Sequence, residues 1–183
     1  MGRNRRSVAL HCWCRAALFA ALAGGVAACA SAASRQADAP RSVQLVDARA
    51  ARECVPFARA VSGVQLRGNA ADWWDKSEGR YARADRPAVG SVLVMRRSSR
   101  LRHGHVAVVS KVVSSRRILV THANWVRHRV SADTPVIDVS ENNDWSLVRV
   151  WWPPTKTMGL TEYPVHGFIL PAGQPATTRS ASL

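Results

Sequence analysis

The chain has 183 residues, with 26 Lys and Arg against 12 Asp and Glu, a net charge of +14. That length suits one domain with one core. The charge favours anionic partners, but the arginines are scattered and no known nucleic-acid-binding motif is present, which argues against a nucleic-acid binder.

Residues 1–30 read as an export signal. Arg3, Arg5, Arg6 and Arg15 make a basic start with no acid, Ala16 to Ala28 is apolar, and small residues follow to Ala33, as signal cleavage needs. The apolar run is too short for a comfortable permanent anchor. Val26-Ala27-Ala28-Cys29 has the form of a bacterial lipobox, in which Cys29 is lipidated and becomes the new N-terminus. Ordinary cleavage near Ala30 or Ala33 is the alternative. The expected location is therefore the periplasm or cell envelope, as an outer-membrane lipoprotein if Cys29 carries lipid. Residues 31–46 read as a flexible lead-in, 47–170 as the folded domain, and 171–183 as a disordered tail poor in bulky side chains.

A helix is expected from Cys54. Pro56 suits a first turn, where its missing N–H costs nothing, and Gly63 can end the helix. A second short helix is expected over Asn69 to Lys76, with Asn69 as cap. Strands are expected at Ser91 to Met95, Val106 to Val113, Arg117 to Thr121, Ser146 to Trp152 and Val165 to Leu170. One or two helices followed by four to six strands argue an α+β fold with an antiparallel sheet, the helix packed on one face.

Four cysteines are present, and Cys12, Cys14 and Cys29 fall in the signal. Cys54 is then the lone mature thiol, without a partner for an internal disulfide. A thiol is a good nucleophile only as thiolate, and both a helix N-terminus and a neighbouring imidazole favour that form. His105, at the start of a strand, can supply the imidazole. A third group must hold its tautomer. With a two-residue loop at Ser114-Ser115, His105 faces Asn124, and His122 lies one diagonal step away on the same face. A register shift of two puts His122 opposite instead, so Asn124 is nominated first and His122 second. Trp73 and Trp74 are adjacent on a short helix. One belongs to the core, and the other is a candidate lining for a substrate groove. No Cys/His spacing indicates a metal site. Glu141 or Asp144 could fold back to the site.

Glu53-Cys54-Val55-Pro56-Phe57-Ala58-Arg59, Gly68-Asn69-Ala70-Ala71-Asp72-Trp73-Trp74, Pro87 and Gly90 before a strand, and Gly104-His105-Val106-Ala107-Val108-Val109 together resemble the CHAP family. These are cysteine- and histidine-dependent amidohydrolases and peptidases acting on peptidoglycan. The resemblance covers Asp47 to Asn124. It implies a papain-like α+β fold, Cys54 as nucleophile, His105 as base, peptidoglycan as partner, and no metal or organic cofactor. The family's next strand commonly carries an acidic residue and then an asparagine two positions later. Asn124 matches the asparagine, and His122 stands where a glutamate is common. The reading is an exported hydrolase of a stem-peptide or N-acetylmuramoyl-L-alanine amide. A non-catalytic wall-binding module of the same fold and a Cys–His acyl transferase are the alternatives.

Overall fold

The computed structural model describes residues 50–175. The expected export signal with Cys29, the lead-in and the tail beyond residue 175 lie outside them.

A 3-10 turn at Ala50–Arg52 leads into helix α1, Cys54–Ser62. Glu53 is its extended N-cap, and the Glu53 carbonyl accepts the Phe57 N–H at 3.2 Å. Pro56 sits in the first turn. Gly63 stops the helix at φ 76°, returning its N–H to the Arg59 carbonyl, a left-handed cap that costs a glycine little. The second helix is split: a 3-10 turn at Ala70–Asp72 runs into α2, Trp73–Lys76, and Asn69 makes no side-chain cap bond.

Eight strands follow among the described residues: β1 (Arg83–Ala84), β2 (Val92–Met95), β3 (His105–Ser114), β4 (Arg117–Ala123), β5 (Val130–Asp138), β6 (Leu147–Trp152), β7 (Thr157–Met158) and β8 (Tyr163–Ile169). They form an antiparallel sheet in the order β1-β8-β2-β3-β4-β5-β6-β7. The start of β6 also pairs with β8, through Leu147↔Pro164 and Val148↔Tyr163, so the sheet closes on itself. The domain is thus mostly β, with two short helices, and its sheet is barrel-like rather than open.

Strand alternation sorts the apolar residues into two cores. Leu93, Ala107, Val109, Ile118, Val120 and Phe168 point into the closed sheet with Trp145. Val92, Val94, Val106, Val108 and Ile169 point outward, against Ala58 of α1, Val64, Leu66 and Trp73. Central strand β2 is buried on both faces, which is why it reads as an unbroken apolar run.

The β3–β4 hairpin turns at Ser115 and Arg116, one residue later than expected, with Ser114↔Arg117 as its closing pair. Two register shifts then intervene, and the site end reads Val109↔Val120 and Val108↔Thr121, the pairs a Ser114-Ser115 loop predicts. Strand β5 was not expected, because Asp133 and Pro135 oppose a strand reading. Pro135 fits because only β4 pairs with it there; β6 joins from Val136 onward. Asp133 takes φ 47° where the β4–β5 register shifts, between Val120 and His122.

Candidate active site

Cys54 opens α1, half-buried against the outer core. β3 and β4 pair down to Val108↔Thr121, and continuing that register would match Val106 with Ala123. The strands part there instead, and the Val106 N–H favours the Cys54 thiolate. Cys54 thus packs with the outer-core residues Val106 and Val108 of β3.

His105 is set by the residue before it. Gly104 has φ 71°, and a Cβ there would lie 2.6 Å from the Met95 carbonyl oxygen and 2.6 Å from the Ala71 nitrogen. Only glycine lets the chain turn this tightly into β3. His105 then points into the closed sheet, on the same face as Ala107 and Val109. His122 shares the face of Ile118 and Val120 on β4 and is wholly buried. His105 Nε2 and His122 Nδ1 are 3.0 Å apart, and the rings meet edge-on, 5.1 Å between centroids. With Nε2 engaged, His105 Nδ1 is the nitrogen left for a thiol proton.

The expected pairing of Asn124 with His105 is corrected by this geometry. The site end of the hairpin keeps the expected register, but β4 stops at Ala123. Asn124 turns away at φ 63°. Its Nδ2 donates to Glu53 Oε2 at 2.9 Å, and its Oδ1 accepts the His128 N–H at 2.9 Å. The second candidate, His122, meets His105 diagonally.

Two other expectations also change. Trp73 is fully buried in the outer core. Trp74 is stacked on His166, 5.8 Å between centroids, with the Arg83 guanidinium 5.1 Å from its ring. Neither lines the cavity at the thiol, a pocket of about 210 Å³ bounded by Glu53, Cys54, Val55, Gly68, Asn69, Ala70, His103 and Gly104. A wider pocket of about 470 Å³, between Val126, Arg129, Thr134, Trp151 and Pro153, shares no residue with it. Glu141 and Asp144 do not fold back. The Glu141 carbonyl is bound by Arg116 at the far end of β4, and Asp144 accepts from Ser146. Arg116 and His122 are six residues apart along a strand, about 20 Å. Among the described residues, no group of three or more His, Cys, Asp or Glu is placed to hold a metal ion.

One further side chain at the site had no role in the sequence reading. Trp125 stacks on His122, 5.5 Å between centroids at 19°, and its ring lies 5.1 Å from that of His105. Its Nε1 donates to the Trp151 carbonyl, and Tyr163 braces it edge-on. The indole roofs the two imidazoles. Its place directly after Asn124 was the available signal.

Burial dominates the electrostatics. It pushes the Cys54 thiol above its ordinary value; the Val106 N–H opposes this, and the Glu53 charge adds to it. Burial also lowers His105 to about 4. His122 is held well below the usual imidazole value by burial and by its neighbour His105. The resting pair at neutral pH is thus thiol and neutral imidazole. This corrects the expectation of a thiol acidified by the helix end, because desolvation outweighs the N–H groups. A neutral His105 that accepts a proton at Nδ1 must carry one on Nε2, donated to His122 Nδ1. The His122 proton then sits on Nε2, which has no partner among the described residues.

Residues 46–124 match the family model described as CHAP domain. This segment is a CHAP domain. The CHAP family comprises, in general, cysteine- and histidine-dependent amidohydrolases and peptidases of peptidoglycan. No curated protein matches the chain. The CHAP match ends at Asn124, whereas the sheet runs on through β8 to Ile169. It thus takes in Cys54, His105 and His122 and stops one residue before Trp125.

The neutral resting pair has a measurable consequence. Alkylation of native Cys54 by iodoacetamide should show an apparent pKa above that of the same thiol in urea-unfolded protein. A native value below the unfolded one would mean a preformed thiolate–imidazolium pair.

Proposed function

We propose that this protein is an exported peptidoglycan hydrolase that cleaves an amide bond, in the stem peptide or between muramic acid and L-alanine, with Cys54 as nucleophile. The observations that carry the reading are the thiol at the start of α1 and the hydrogen-bonded pair of His105 and His122, all within the segment that matches the CHAP domain model.

In the proposed mechanism, neutral His105 removes the thiol proton at Nδ1 as Cys54 Sγ attacks the amide carbonyl. His105 becomes imidazolium and keeps its Nε2–H on His122 Nδ1. The roof of Trp125 favours that transient cation through its π-face. The backbone N–H of Cys54, at the helix start, helps hold the tetrahedral oxyanion. His105 then gives its proton to the leaving amine. A water, deprotonated by the same nitrogen, hydrolyses the thioester.

Export rests on the basic, alanine-rich first thirty residues. The proposed place of action is the periplasm or cell envelope, with membrane attachment if Cys29 is lipidated. The basic charge of the chain suits an anionic cell-wall polymer.

The test is digestion of purified sacculi followed by mass analysis of the released muropeptides. Stem peptides freed from muramic acid identify an amidase; shortened or uncrosslinked stems identify an endopeptidase. Unchanged sacculi with retained protein would point to the wall-binding alternative.

A further inference from the structure

The carboxylate of Glu53 stands directly before the nucleophile. It is exposed, and it lines the pocket of about 210 Å³ together with Cys54. Its position is built. Asn124 Nδ2 donates to Oε2 at 2.9 Å, while the Asn124 Oδ1 is itself held by the His128 N–H and the Asn124 backbone N–H by the Arg129 carbonyl at 2.8 Å. The bracket is neutral. It orients one carboxylate oxygen and adds no positive charge beside it.

At the N-cap of α1 the charge faces the positive end of the helix dipole, but no cation pairs with it among the described residues. It disfavours the thiolate next door. Among the described residues Glu53 forms no ion pair, although the chain carries 26 Lys and Arg. A neutral glutamine would accept the same Asn124 hydrogen bond without raising the thiol. A carboxylate kept at the lip of a pocket, aimed by an amide and left without a cation, is matched by a cation that arrives with the ligand.

Building on the peptidase reading above, we propose that Glu53 is an ammonium subsite. It binds a free amine of the peptide next to the scissile amide, and so makes the enzyme prefer substrates bearing that amine over those in which it is acylated. Two sources carry this chemistry: the side-chain amine of a diamino acid and a free N-terminal amine. The same carboxylate disfavours a substrate carboxylate at that place.

The experiment compares kcat/KM of the wild-type protein and Glu53→Gln on four soluble peptides prepared from sacculi. They are a stem peptide with both amines free, the same peptide acetylated at the N-terminus, one acetylated on the side-chain amine, and one acetylated on both. Wild type is expected to prefer a free-amine form over the doubly acetylated form by about tenfold, the scale of one hydrogen bond to a charged group. In Glu53→Gln that ratio should collapse toward one. The ratio is the readout, because removing the charge also alters the thiol. The singly acetylated peptides tell which amine is bound. Glu53→Gln keeps the acceptor for Asn124, so its melting temperature should be unchanged. A wild-type ratio near one, or a preference that survives in Glu53→Gln, overturns the subsite while leaving the hydrolase intact. Failure of the wild-type protein to cleave any of the four peptides overturns the peptidase reading and the subsite with it; if stem peptides are still released from sacculi, the amidase reading stands.

Discussion

Cys54→Ala and Cys54→Ser are both expected to lower release of muropeptides by about three to six orders of magnitude. Alanine removes the nucleophile outright. Serine leaves a hydroxyl in the same place, but a hydroxyl gives up its proton far less readily than a thiol. His105, lowered to about 4 by burial, is too weak a base to make that exchange. The thiol is only half-buried, so both variants should keep the wild-type circular dichroism and melting temperature within a few degrees. The measurement is muropeptide release by chromatography against protein whose fold has been checked. Near-normal turnover by Cys54→Ser would remove the cysteine mechanism.

The second large effect separates His122 from Asn124. His122→Leu removes the acceptor for His105 Nε2 at roughly constant volume. It should cost about 10²- to 10⁴-fold in turnover, the range for losing the group that holds a catalytic imidazole. His122→Asn should recover part of this, because its Oδ1 falls near the place of Nδ1 and accepts the same bond. Asn124→Ala should cost less than about tenfold, since Asn124 touches Glu53 and His128 rather than His105. His122→Glu carries a sign test. A carboxylate favours imidazolium, so it raises the His105 pKa. Turnover needs neutral His105, so the acidic limb of the rate profile should move to higher pH than in the wild type. Asn124→Ala near dead with His122→Leu near normal would show that the ring is held from the other side.

The two hydrogen-bonding candidates show where strand arithmetic ends. Pairing by a constant sum places His105 opposite Asn124, and the site end of the hairpin follows that sum. The sum says nothing of where β4 stops pairing. Asn124 adopts a left-handed conformation, tolerated by asparagine better than by most residues, and the loop it opens takes its side chain to Glu53. His122 remains on the strand and keeps the inward face that alternation assigns. Similarly, Trp73-Trp74 reads as a core residue beside a groove residue, yet both faces are occupied: one by the outer core, the other by His166 and Arg83. Those partners are about ninety and ten positions away, and no local pattern announces the more distant one.

Local chemistry was sufficient to read several features directly from the chain. Pro56 and Gly63 bound the helix that Cys54 opens and β-branched runs mark β2 to β4, because each depends on conformational preferences of a few adjacent residues. The ordered motifs also carry the CHAP resemblance, which the match over residues 46–124 places in the family. Closure of the sheet through β6 and β8, the parting of β3 and β4 beyond Val108↔Thr121, the roof of Trp125 and the Glu53–Asn124 bond were decided only by the tertiary structure. So was the balance of protons at the site. The helix end favours a thiolate, but burial of the thiol and of both imidazoles works against charge, and burial is a property of the packed whole rather than of any segment.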